Sequence, residues 1–185
     1  SGHAIQLGKV AYFCPADLDL KKPETRISFA TIYELLKQCP AEVKLLITDA
    51  CRTNPFASKT RDIIPGLESV TRPQAIPPPG GIAALFACAA GQAAWEDKGL
   101  GKGKPPGHGV FFHFLIEAFQ GAADADKNGK ITVTELHAYV AGKVEEYVSR
   151  KFGEKQTPTL KANLVGSSTI LGATSSPAKP APDKK

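Results

Sequence analysis

The sequence predicts an α/β fold, a sheet of short buried strands with amphipathic helices packed on it. Three observations carry that expectation. Val43, Leu45, Leu46 and Ile47 form an apolar run that closes in polar Thr48-Asp49-Ala50-Cys51-Arg52, the pattern of a buried strand. Residues 82–89 (IAALFACA) form a second run of this kind, although their alanines also suit a helix. Three further segments carry apolar residues at helical spacing: Phe29, Ile32, Leu35 and Leu36; residues 110–122; and Tyr139, Val140, Val144, Tyr147 and Val148.

In chain order, residues 5–15 suit a short hairpin or extended arm, and 16–26, with Pro23, suit a loop. Ser28 is placed to cap the first helix, which should stop near Gln38-Cys39-Pro40. Residues 53–81 are long and Pro-rich, which fits a connector or an activation loop, with self-cleavage expected at Arg61 or Arg72. Residues 99–109 form a Gly/Pro/Lys loop without the spacing of a phosphate-binding loop. A last edge strand is expected near 158–164, because Pro158 is tolerated at a strand start. Residues 1–172 then make one domain, and 173–185 a Pro/Ala/Lys tail or linker.

Composition excludes several classes. The net charge of +5 is scattered, with no basic helix or aromatic-interleaved patch, so nucleic acid is not an expected partner. No apolar run reaches membrane-spanning length and no signal-peptide pattern is present. Cys14, Cys39, Cys51 and Cys88 lack a framework spacing and are expected as free thiols in a reducing, cytoplasmic compartment. The absence of methionine, position 1 included, suggests a piece of a longer parent chain.

Cys51 falls at the carboxyl end of its strand, where open α/β sheets bind ligands. It is a core filler or a nucleophile. A thiol is only a few per cent thiolate near neutral pH and needs a base in reach. His3, forty-eight positions earlier and flanked by Gly2 and Ala4, is the candidate base, with His108 a weaker rival. A second motif lies downstream. Asp124, Asp126, Asn128, Gly129, Lys130 and Glu135 match the EF-hand loop D-x-[DN]-x-[DN]-G-x5-E. Two readings fit it: a regulatory Ca²⁺ site, or a tight Asp/Asn/Gly turn that needs no metal.

Together S-G-H-A at 1–4, L-L-I-T-D-A-C-R at 45–52, A-C-A-A-G-Q-A-A-W-E at 87–96, G-H-G-V-F-F-H-F-L-I-E-A-F at 107–119 and Q-T-P-T-L at 156–160 resemble the caspase/metacaspase superfamily. The bacterial caspase-like cysteine peptidases are the nearest in pattern. D-A-C-R with a histidine about 50 residues upstream is similar to that family's signature. The resemblance implies a caspase-like three-layer sandwich, here the C-terminal part of a mostly parallel six-strand sheet flanked by helices. Three strands would precede the histidine, and their absence would leave an apolar sheet edge bare.

The resemblance also implies a Cys51/His3 dyad and an oxyanion hole from the backbone N–H groups of Cys51 and Ala4. It implies a polypeptide substrate, no required cofactor, and further domains in the parent chain. Animal caspases hold Gln where this chain has Asp49, and no Arg precedes Val110-Phe111. A pocket of Asp49, Glu96 and Trp95 would attract Arg or Lys, as in metacaspases. Ala90-Gly91 stands where metacaspases carry further acids. Ala4 replaces the family's Gly, and its methyl would crowd the oxyanion position. That substitution keeps open a catalytically weak or inactive caspase-like interaction module. A lone Ca²⁺-binding helical module is the third reading.

Overall fold

The first segment pairs with itself. Strands β1 (Gly2–Leu7) and β2 (Val10–Cys14) form an antiparallel hairpin, and β3 (Ile27–Ser28) extends it beside β2. These elements come from a computed structural model that describes residues 2–7, 10–19, 21–51, 67–68, 80–101, 108–164 and 170–173. The tail beyond 173 lies outside the described residues, as do Arg61, Arg72 and most of the 53–79 stretch. The expected N-cap is present: the Ser28 hydroxyl accepts the Thr31 N–H at 3.0 Å and starts α1 (Phe29–Gln38). A cap of this kind contributes about 1 kcal/mol.

The central sheet is made by the predicted apolar runs. Strand β4 (Lys44–Thr48) ends at Asp49, and the two-residue β5 (Ala50–Cys51) follows. A short β6 (Leu67–Glu68) pairs with the far end of β1. Strand β7 (Ile82–Phe86) is buried at every position, which excludes a helix for this alanine-rich run. It sits between parallel β4 and the antiparallel β11 (Thr159–Asn163). Among the described residues β4 has no strand on its other side, and Val43 at its start is exposed.

The chain then makes β8 (Glu96–Asp97) and β9 (His108–Gly109), which pair with each other. Helix α2 (Val110–Glu117) follows and runs into a π-helical turn over Ala118–Ala122. Beyond the 124–135 loop, β10 (Lys130–Thr132) leads into α3 (Val133–Phe152). A capping box fixes the start of α3: the Thr132 hydroxyl takes the Glu135 N–H while the Glu135 carboxylate takes the Thr132 N–H. The last strand, β12 (Ile170–Ala173), pairs antiparallel with β10.

Two apolar clusters enclose the sheet. On one face Val110, Phe111 and Leu115 of α2 pack with Leu136, Val140, Val144 and Val148 of α3. On the other, Phe29 and Tyr33 of α1 pack with Ala4, Ala50 and Phe86. Helices on both faces of a sheet are the predicted layering. One expectation needs correction. The run from Val43 to Cys51, read as one buried strand, breaks at Asp49, and Ala50–Cys51 leaves the central sheet to pair with β1. No helix among the described residues is long and apolar enough to cross a membrane.

Candidate active site

Strand β1 is parallel to β5 in the register Gly2↔Ala50 and His3↔Cys51. It is antiparallel to β2 in the register His3↔Cys14. Partners opposite one another in a ladder project from the same face, with strands about 4.8 Å apart. Cys14, His3 and Cys51 therefore form one row across the sheet, with the imidazole between two sulfurs. His3 is exposed and Cys51 half-buried. The two thiols differ in environment. Burial pushes the Cys14 thiol up to about 11, so it stays protonated and packs rather than reacts.

The residues that alternate with this row point the other way. Ala4 and Ala50 are buried in the cluster with Phe29, Tyr33 and Phe86. This overturns the expectation that the Ala4 methyl crowds the oxyanion position. The pleat turns that methyl into the core, opposite to His3.

The Cys51 sulfur meets the chain again at Ala94. The Ala94 N–H donates to Sγ at 3.4 Å, and the thiol donates to the Ala94 carbonyl at 3.5 Å. Among the described residues no hydrogen bond joins the imidazole of His3 to that sulfur; such bonds commonly form only once substrate is seated.

Asp49 lies two residues before Cys51 and is 6 % exposed. One carboxylate oxygen, Oδ2, is buried without a hydrogen-bond partner among the described residues. Burial pushes its carboxyl up to about 6, and the nearby charge of Glu96 adds to the rise. Gly109, the cap of α2, lies against this carboxylate so closely that a Cβ there would overlap Oδ2. Glu96 is the register partner of Gly109. Both acids thus converge on one glycine, which gives the second Gly of G-H-G a physical reason.

Trp95 and Asp97 alternate with Glu96 and face α3. The half-buried indole stacks on Phe152 with ring centroids 4.6 Å apart, one side of it against the apolar cluster. Asp97 accepts the Tyr147 hydroxyl at 2.6 Å and the Gly99 N–H at 2.7 Å and pairs with Lys151. The Tyr147 hydrogen bond leads these contacts in lowering its carboxyl to about 2. His108 contributes a backbone partner to Asp97.

Sequence reasoning missed two glutamines. Gln156 is 0 % exposed; its Oε1 accepts the Trp95 N–H at 2.9 Å and its Nε2 donates to the Ala87 carbonyl at 3.0 Å. Gln92 accepts the Thr157 N–H at 2.7 Å and the Ala89 N–H at 3.2 Å. A buried polar residue inside the quoted Q-T-P-T-L motif was the available signal.

The other acidic group is the 124–135 loop. Carboxylate oxygens of Asp124, Asp126 and Glu135 lie within 4.8 Å of one another. Gly129, at φ +80°, turns the chain so that its N–H reaches Asp124 at 2.9 Å. The Asn128 N–H reaches Asp124 and Asp126 at 3.1 Å each, and the Lys130 N–H reaches the Asn128 carboxamide at 2.8 Å. The Thr132 backbone N–H, then its hydroxyl, lowers the Glu135 carboxyl. All the side-chain donors are oxygens, which suits a hard divalent cation.

All four cysteines are free thiols. A comparison with curated proteins found no match. A family model described as the caspase domain matches residues 1–167, which span the His3/Cys51 row, Asp49 and the three central strands. The chain belongs to the caspase-domain family of cysteine peptidases.

Proposed function

We propose that this domain is a cysteine endopeptidase that cleaves after Arg or Lys, with Cys51 as nucleophile and His3 as proton shuttle. The observation that carries the specificity is the buried, unpartnered Asp49 oxygen beside Glu96, two residues from the nucleophile. A guanidinium or ammonium group would satisfy that oxygen and offset the cost of burying its charge.

In this reading the imidazole of His3 takes the thiol proton and Cys51 Sγ adds to the scissile carbonyl carbon. Backbone N–H groups of Cys51 and Ala4 receive the oxyanion. The C–N bond breaks as the imidazolium protonates the leaving amine. Water, deprotonated by His3, then hydrolyses the thioester and frees Cys51. The inward-turned Ala4 methyl favours this over an inactive interaction module.

The 124–135 loop is read as a regulatory Ca²⁺ site held by Asp124, Asp126, Asn128, Glu135 and the Lys130 carbonyl. The convergence of three carboxylates supports it. Both helices that flank the loop run to the acidic residues: α2 starts at Gly109, against the Asp49 carboxylate, and α3 ends at Phe152, stacked on Trp95 next to Glu96.

The deciding experiment compares hydrolysis of fluorogenic peptides ending in Arg, Lys or Asp by the full-length protein and its Cys51→Ala variant, with and without Ca²⁺. Turnover of Arg and Lys peptides that vanishes in Cys51→Ala is expected. Equal hydrolysis by Cys51→Ala, or a preference for Asp, would overturn the reading.

A further inference from the structure

We infer that Gln156 is a positioning residue that holds the Cys51 thiol by fixing a single peptide unit, the one between Ala94 and Trp95. The inference rests on the reading of Cys51 as the reactive thiol. The N–H of that unit belongs to Trp95 and its C=O to Ala94. In a trans peptide the two point in opposite directions. Gln156 Oε1 holds the N–H end at 2.9 Å, and the Cys51 thiol donates to the C=O end at 3.5 Å. The preceding N–H, on Ala94, donates to the same sulfur at 3.4 Å. A backbone N–H aimed at sulfur stabilises negative charge that develops there.

The other end of the carboxamide is anchored. Nε2 donates to the carbonyl of Ala87, just beyond buried β7, and the residue has no exposed surface. Gln92 braces the same segment from its own side, by accepting N–H bonds from Thr157 and Ala89. The two glutamines thus bind the 89–95 stretch to the 156–157 stretch in both directions. Freed from Gln156, the Ala94–Trp95 unit is able to rotate and carry its C=O away from the Cys51 thiol, and the Ala94 N–H, on the adjoining unit hinged at the same Cα, loses the restraint that keeps it aimed at Sγ.

The test is thiol alkylation of the chain by iodoacetamide with peptide mapping, which needs no substrate. The other cysteines serve as controls: Cys39 is exposed at the end of α1, and Cys88 is 0 % exposed. Gln156→Met keeps the side-chain volume and removes both hydrogen bonds. The expected result is a fall of about fivefold or more in the Cys51-to-Cys39 labelling ratio, with Cys88 still protected. In the active parent, kcat falls with KM unchanged. An unchanged ratio with Cys88 protected overturns the inference. If Gln156→Met exposes Cys88, Gln156→Asn, one methylene shorter, is read by the same two outcomes. A parent without peptidase activity but with the labelling change would sink the proposed function and leave this inference standing.

Discussion

Asp49 is 6 % exposed, with one carboxylate oxygen lacking a partner among the described residues, whereas Asp124, Asp126 and Glu135 accept hydrogen bonds from their own loop. The buried acid has been taken from water, and burial outweighs the neighbouring charges in setting its carboxyl. The loop acids are wet or self-bonded, and the loop is shaped before any ion arrives. A cation entering the first region fills a deficit. One entering the second replaces bonds already made. The first should therefore be decisive for ligand binding and costly for stability, and the second incremental for both.

The largest expected effect is at Asp49. Asp49→Asn should lower kcat/KM for Arg peptides by about 100-fold or more, because a buried charge partner is lost. It should also raise stability. The folded carboxyl titrates at about 6 against an ordinary 3.8, so the native state holds the proton more tightly. Its cost to stability sets in as pH rises from about 4 to 6 and is constant above. At pH 7.5 the Asn variant should be more stable by on the order of 1–3 kcal/mol in urea melts. Arg-peptide kcat/KM of the parent should fall as pH drops through about 6, and the variant should lack that limb. A less stable Asp49→Asn protein would break the comparison.

Next comes Gly109→Ala, whose methyl would overlap Asp49 Oδ2. Alanine there should displace the carboxylate and reduce Arg-peptide kcat/KM by about tenfold or more, with a lower Tm from overpacking. The loop predictions are smaller. Glu135→Gln should weaken Ca²⁺ binding by about tenfold or more in calorimetry and leave the apo fold intact, since Gln also serves a capping box. Ca²⁺ at 100 times Kd should add about 2.7 kcal/mol to stability. The smallest effect is at Asp97. Its lowered carboxyl gives stability that is present above about pH 4 and lost as pH falls toward 2. Asp97→Asn should flatten the acid side of the Tm–pH curve by a few degrees.

The parts legible in the sequence were those written in local pattern. Strands β4, β7 and β11, the cap at Ser28 and the stripe on α3 follow from apolar period or capping chemistry. The register that seats His3 beside Cys51 was reached only through family resemblance, because a parallel pairing forty-eight positions apart leaves no mark in local periodicity. The break at Asp49 was missed because Thr48 and Ala50 sustain the strand pattern while the pairing partner changes. Gln156 and Gln92 were missed for a related reason. Their partners lie 61 and 65 residues away, and a buried glutamine reads as an ordinary polar position.

The pairing of β10 with β12 has a consequence for synthesis. The strand that buttresses the 124–135 loop is translated about 40 residues after it, on the order of 2–8 s later at ordinary elongation rates. On the ribosome, the His3, Cys51 and Asp49 segments all emerge before the loop is braced. A nascent chain can therefore assemble the Cys14, His3 and Cys51 row while the 124–135 loop is still unsupported.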